Sequence, residues 1–184
     1  MLYNEIYTFT PTGKIENDIN SFLLKYNKEI TYKHSIRVAN EARKIAEMFH
    51  ENEEKVAIAA YLHDISAIFP NEERIAVAEE FGIEILQEER KFPMIIHQKL
   101  SRLIAKEVFK VEDEEVLNAI SCHTTLRKNA TKMDLILFIA DKIEWDQKGT
   151  PPYILKVKMD WKNHWNMLLP HISHIYGKEK IHCF

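Results

Sequence analysis

Glycine is scarce in this chain, with four residues in 184, against the roughly 7% usual for proteins. They stand singly at Gly13, Gly82, Gly149 and Gly177, which excludes the bunched glycines of a P-loop or a dinucleotide-binding fingerprint. So few glycines, with only six prolines, argue for long helices and against a many-stranded sandwich. Two cysteines, Cys122 and Cys183, make neither a disulfide framework nor a C-x-x-C pair. A basic surplus is missing as well. The 25 Lys and Arg against 28 Asp and Glu leave a net charge of −3, so nothing is set up to grip a nucleic-acid backbone and no such partner is expected. The longest plain apolar run, Leu135 to Ala140, is six residues, far short of the ~18 that span a bilayer. No membrane partner is expected. The first residues lack the basic segment and long apolar core of a signal peptide, which makes a reducing cytoplasm the expected compartment.

What is present is ordinary globular material, 46% apolar and 29% charged, in a length suited to one domain. Its apolar residues recur with helical spacing. From Thr31 the stripe is Val38, Ala42, Ile45 and Phe49. A second helix is expected from Asn52 as N-cap, with Glu53 and Glu54 in its first turn, to His63. A third is expected from about Asn71 to Phe81 with Gly82 as C-cap, and residues 83–96 give no clear pattern before Pro93. Leu100, Leu103, Ile104 and Val108 mark the next helix; Asp113, Glu114 and Glu115 open another that ends at His123. Thr131 and Asp134 resemble a capping box before Leu135–Ile143. Beyond a Gly149–Pro152 loop, Ile154, Val157, Trp161, Trp165 and Leu168 can form a last stripe. With no convincing strand, the expected fold is all-α: an N-terminal segment (1–29), a helical bundle (30–150) and a C-terminal helical extension (151–184).

On those stripes sit unexpected polar groups. His34 falls one turn before Val38, His63 seven after Val56 with Asp64 next to it, His97 three before Leu100, His123 seven after Val116, and Asp141 four after Leu137. Each side chain alone reads as an ordinary satisfied core residue. Four histidines and two carboxylates aimed inward from five helices are harder to bury separately, because an unpartnered polar group costs kilocalories and a lone carboxylate far more. A shared cation satisfies them together. The nitrogen and oxygen donors suit iron, manganese, cobalt, nickel or zinc and disfavour a thiolate site. Six donors exceed the needs of one tetrahedral ion and fit two ions about 3.5–4 Å apart, the geometry of phosphoryl hydrolysis.

His34, the His63-Asp64 doublet and Asp141 resemble the motif set of the HD-domain metal-dependent phosphohydrolases, and His97 and His123 resemble the additions of its binuclear branch. The stretch from Phe81 to Glu144 is most similar to the YqeK-type symmetrical bis(5'-nucleosyl)-tetraphosphatases, through His97-Gln-Lys, the helix ending in His123-Thr124-Thr125, and Ala140-Asp141-Lys-Ile-Glu144. The resemblance implies His34, His63, Asp64, His97, His123 and Asp141 as metal ligands, Asp64 bridging, with His63 and Asp64 central to catalysis. It implies two divalent or mixed-valence ions, iron foremost, and cleavage of diadenosine tetraphosphate into two ADP by a metal-bound hydroxide. Lys99, Thr124, Thr125 and Arg127 lie beside these ligands in sequence and are expected to hold phosphate oxygens.

The chain departs from that pattern where substrate would lie. Gln98 and Leu126 stand where the family usually has glycine, Ser66-Ala67 where a basic residue commonly follows the doublet, and Glu144-Trp145-Asp146-Gln147 where it has Glu-Pro-x-Arg. Another phosphoester substrate, or a helical module with a structural or sensory metal, are the competing readings. His50, His164, His171, His174 and His182 read as surface or satisfied histidines. Trp161 and Trp165 read as a core or homodimer contact. Cys122, one residue from His123, is expected about 100° off the apolar face as a structural thiol.

Overall fold

The computed structural model describes residues 5–145; the expected extension over 151–184, with its tryptophans and histidines, lies outside them. Eight α-helices are seen there: α1 (Ile15–Lys25), α2 (Glu29–Met48), α3 (Glu53–Leu62), α4 (Arg74–Glu80), α5 (Gln87–Lys91), α6 (His97–Glu107), α7 (Glu114–Cys122) and α8 (Lys132–Ile143). Short 3-10 turns fill Ile65–Ile68 and Pro93–Ile96, and the described residues contain no strand. None of their helices is long and apolar enough to cross a membrane.

The helix starts are set by local chemistry. The Asn52 side chain accepts from the Lys55 N–H at 3.0 Å, and the Asp113 carboxylate accepts from Glu115 and Val116, satisfying donors that a first turn leaves open. Thr131 and Asp134 cap α8 reciprocally, at 2.7 and 3.3 Å. Gly82 closes α4 as expected, with φ at 65° and the Ile83 N–H returning to Ala78 O at 2.8 Å. α2 ends the same way on His50 (φ 55°), a non-glycine residue that the sequence pattern does not mark.

Two expectations are corrected. The helix after Pro70 begins at Arg74 rather than Asn71, because residues 71–73 form a turn. Residues 83–96 resolve into α5 and a 3-10 turn, elements too short to display a period.

α3 is the central element, with six of its ten residues buried and α1, α2, α6, α7 and α8 packed around it. A helix enclosed like this has no polar face to spare, and its alanines at 57, 59 and 60 let the neighbours approach. α1 adds Ile19, Phe22 and Leu23, all fully buried, to the same core. α2 and α3 form one helical hairpin and α6 and α7 another. Each hairpin brings the start of its first helix beside the end of its second, which places His34 beside His63 and His97 beside His123.

Candidate metal centre

The six expected donors meet. The imidazoles form a row, His34–His63–His123–His97, with ring centroids 5.2, 4.9 and 4.8 Å apart. Asp141 closes one end, its Oδ1 3.2 Å from His34 Nε2 and 3.7 Å from His63 Nε2. Asp64 lies across the middle. Its Oδ2 is 3.5 Å from His63 Nε2, while its Oδ1 is 3.3 Å from His97 Nε2 and 3.5 Å from His123 Nε2. His34, His63 and His123 are buried, whereas the Asp64 side chain is 30% exposed, which leaves a way in from solvent.

Backbone chemistry orients the rings. His63 and His123 each follow the last residue of a helix, where carbonyls lack intrahelical partners. Their Nδ1–H groups donate to Ala60 O at 2.6 Å and Ile120 O at 2.8 Å. His97 Nδ1 donates in the same way to Met94 O. A carbonyl only accepts, so all three neutral rings carry their proton on Nδ1 and present a bare Nε2 to the interior.

That arrangement asks for a cation. His97 Nε2 and His123 Nε2 stand 3.0 Å apart, two lone pairs facing one another unless a proton or a metal ion intervenes. His63 Nε2 is fully buried and has no hydrogen-bond partner, although two carboxylates flank it. Two overlapping groups, His34–His63–Asp141 and His63–Asp64–His123, each bring their donor atoms close enough to hold an ion. The residues present therefore fit a divalent metal ion.

The charges are strongly coupled. Burial disfavours the His63 imidazolium, yet Asp64 and Asp141 outweigh it and raise the pKa to about 9. Burial lowers His123 to about 4, with His97 and His63 opposing its protonation and Asp64 favouring it. Burial also works against the Asp64 and Asp141 carboxylates, and their cationic neighbours overcome it. The His63, His123 and His97 imidazoles hold Asp64 well below its usual range. Asp141 is held there by Lys142, His34 and His63.

The four expected phosphate-holding residues are placed less centrally. Thr124 Oγ1 reaches His97 Nε2 at 3.2 Å. Thr125, Lys99 and Arg127 line a neighbouring cleft of about 690 Å³. Lys99 Nζ is bound to Glu89 Oε2 at 2.7 Å and Glu84 O at 2.9 Å, and Arg127 Nε to the buried Asp134 at 2.8 Å. Cys122, about 100° off the apolar stripe, is 5% exposed, as a structural thiol would be: α7 packs on α3, α6 and α8, so more than one flank is covered.

Three contributors escaped the sequence reading. Lys142 Nζ sits 2.6 Å from Asp141 Oδ2, a contact its adjacency to Asp141 signalled. Ser66 Oγ donates to His97 O at 2.8 Å and accepts from Ser101 Oγ at 2.9 Å, tying the turn after Asp64 to α6. Gln98 is buried, its Oε1 accepting from the Thr124 N–H at 3.2 Å and its Nε2 donating to Thr125 Oγ1 at 3.1 Å. The Ser66 and Gln98 meetings join residues about 30 positions apart, and no local pattern encodes them.

Fold and site together define a helical bundle whose interior gathers nitrogen and oxygen donors that fit a metal ion. The chain belongs to the HD domain family, whose model matches residues 31–146. It is 55% identical over 96 residues, 52% of this chain and 49% of the relative, to an uncharacterized protein of Lactococcus lactis subsp. cremoris. It is 36% identical over 118 residues, 63% of this chain and 59% of the relative, to a symmetrical bis(5'-nucleosyl)-tetraphosphatase of Staphylococcus aureus. The matches thus span roughly half to three fifths of the length of these relatives. A crystal structure from Clostridium acetobutylicum, described as an HD superfamily hydrolase involved in NAD metabolism, has a TM-score of 0.71 and 30% identity, over 89% of this chain and 87% of that one.

Proposed function

We propose that this protein is a binuclear metal-dependent phosphohydrolase that cleaves a dinucleoside polyphosphate, diadenosine tetraphosphate to two ADP. The observation that carries the reading is Asp64, one oxygen of which faces His63 while the other faces His97 and His123 in a row of inward-facing imidazoles. His34, His63, Asp64 and Asp141 would hold one ion and Asp64, His97 and His123 the other, iron being the first metal to try. When bound, the ions would lower the pKa of a water and offset charge on phosphate oxygens.

The chain's own groups divide the remaining work. The Nδ1–H bonds to backbone carbonyls keep three Nε2 lone pairs available. Lys142 balances the outer oxygen of Asp141, and the exposed edge of Asp64 admits substrate. Thr124, whose hydroxyl reaches His97 Nε2, is the side chain placed to meet the phosphate, and Lys99 and Arg127, held by Glu89 and Asp134, line the adjoining cleft. The relatives named symmetrical tetraphosphatases support the substrate. Another phosphoester is the second reading, favoured by the Gln98 side chain that fills the rim beside Thr124.

The test is product analysis after incubating metal-quantified protein with diadenosine tetraphosphate and iron, manganese or cobalt under reducing conditions. ADP as the sole product supports the proposal. No turnover with two metals bound per chain would transfer the site to another phosphoester, to be found with a substrate panel. Asp64→Ala should lose metal retention and turnover together, and full activity in that variant would refute the mechanism.

A further inference from the structure

Arg74 begins α4 and is not part of the donor set described above. Its Nη1 donates to Met94 O at 3.2 Å, the same carbonyl that takes the Nδ1–H of His97. The guanidinium and the His97 ring thereby share one anchor, at the His97 end of the imidazole row. Its Nε is buried and has no hydrogen-bond partner, and among the described residues no carboxylate lies within ion-pair distance of it. The other arginines and lysines around the site are already engaged: Lys142 by Asp141, Lys99 by Glu89, Arg127 by Asp134 and Arg102 by Glu114. Burial lowers the pKa of Arg74, opposed by the negative charges of Asp64 and Glu72, so the Asp64 carboxylate lies within electrostatic reach.

A partly buried guanidinium without an anion is an expensive arrangement. It carries five N–H donors in a planar fork that matches two oxygens of a phosphate, and only one of them is committed. The positions just after the His63-Asp64 doublet, Ser66 and Ala67, offer no cation to the same region. Ser66 is instead used to hold His97 O.

We propose that Arg74 grips a phosphate group of the substrate on the His97–Asp64 side of the centre. The inference rests on the phosphohydrolase reading but not on the identity of the nucleotide. Anchored through Met94 O, the fork is pre-oriented, so little side-chain freedom is lost when the phosphate arrives. Arg74 would then act directly on substrate while sharing an anchor with a metal ligand.

The test is calorimetric titration of manganese-loaded full-length protein with inorganic phosphate and with ADP, alongside Arg74→Gln and Arg74→Lys. The expected result is a loss of affinity for both probes of about tenfold or more in Arg74→Gln, with partial recovery in Arg74→Lys and an unchanged manganese count. Unaltered phosphate affinity in Arg74→Gln would overturn the proposal, as would the absence of phosphate binding by the parent protein. Loss of manganese from Arg74→Gln would make the residue a prop for His97 and overturn it equally, and so would failure of both variants to fold. Arg74-dependent phosphate binding in a protein that does not cleave diadenosine tetraphosphate would leave this inference standing while the substrate reading fell.

Discussion

Removing the Gln98 amide offers a quantitative check on how the rim of the metal centre is held. Gln98 is 4% exposed and fastens three consecutive residues of the loop after α7. Oε1 accepts from Thr124 N–H, Nε2 donates to Thr125 Oγ1, and that hydroxyl donates on to Leu126 O at 3.3 Å. Leu126 has φ at 59°, a left-handed conformation that costs an L-residue about 1–2 kcal/mol. The loop keeps it because Leu126 N–H is bonded to Cys122 O at 2.7 Å, its side chain packs on the core, and Gln98 clamps the two residues before it. Gln98→Ala deletes two hydrogen bonds worth about 1 kcal/mol each, a total of about 2 kcal/mol. For a chain of this size that lowers Tm by roughly 4–8 °C. Calorimetry on metal-free protein measures it. Thr125→Val removes one of the two bonds and should cost about half as much, and the double variant should show a coupling of about 1 kcal/mol between the positions. A Gln98→Ala protein melting within about 1 °C of the parent, or two fully additive variants, would refute the clamp.

Two further expectations concern the metal and the helix that carries Asp141. In the metal-free protein His63 titrates near 9, above its usual value of about 6.5, so its stabilising ion pairs are complete below about pH 6.5 and are lost as pH rises through 9. Metal binding must displace that proton. Apparent manganese affinity should therefore climb about tenfold per pH unit from 6.5 to 9 and then level off, in competition titrations with a chelator; a flat profile would contradict the assigned charge state. Thr131→Ala removes one half of the α8 capping box and should destabilise the protein by about 1 kcal/mol, read as a small drop in urea midpoint at unchanged m-value.

The parts legible in the sequence were those fixed by neighbours along the chain. Asn52, Asp113 and Thr131 cap helices through bonds to residues two or three positions away, and a period of 3.6 placed His63 and His123 on buried faces whatever else surrounded them. The inward convergence of the six donors is what burial energetics asks of that sequence pattern. What stayed hidden depends on packing between distant segments. Cys122 looked peripheral on a wheel with one apolar face, and is buried because its helix is covered from three directions. Lys99 and Arg127 look like free cations in sequence; only the fold brings Glu89 and Asp134 against them. Arg74 shows the converse, a residue with no motif around it that the chain path delivers to the same carbonyl as the inward-facing His97.

Three of the four imidazoles donate their Nδ1–H to main-chain carbonyls, those of Ala60, Met94 and Ile120. Such a carbonyl exists whatever side chain its residue bears. The tautomer and aim of those rings are therefore insulated from substitution around them, and no partner side chain has to change in step. The rim can thus be rewritten, with Gln98, Ala67 or Leu126 in place of other residues, while the donors keep their bearing. A scaffold wired in this way separates the part that activates from the part that selects, and lets a chain acquire a new preference without rebuilding its chemistry.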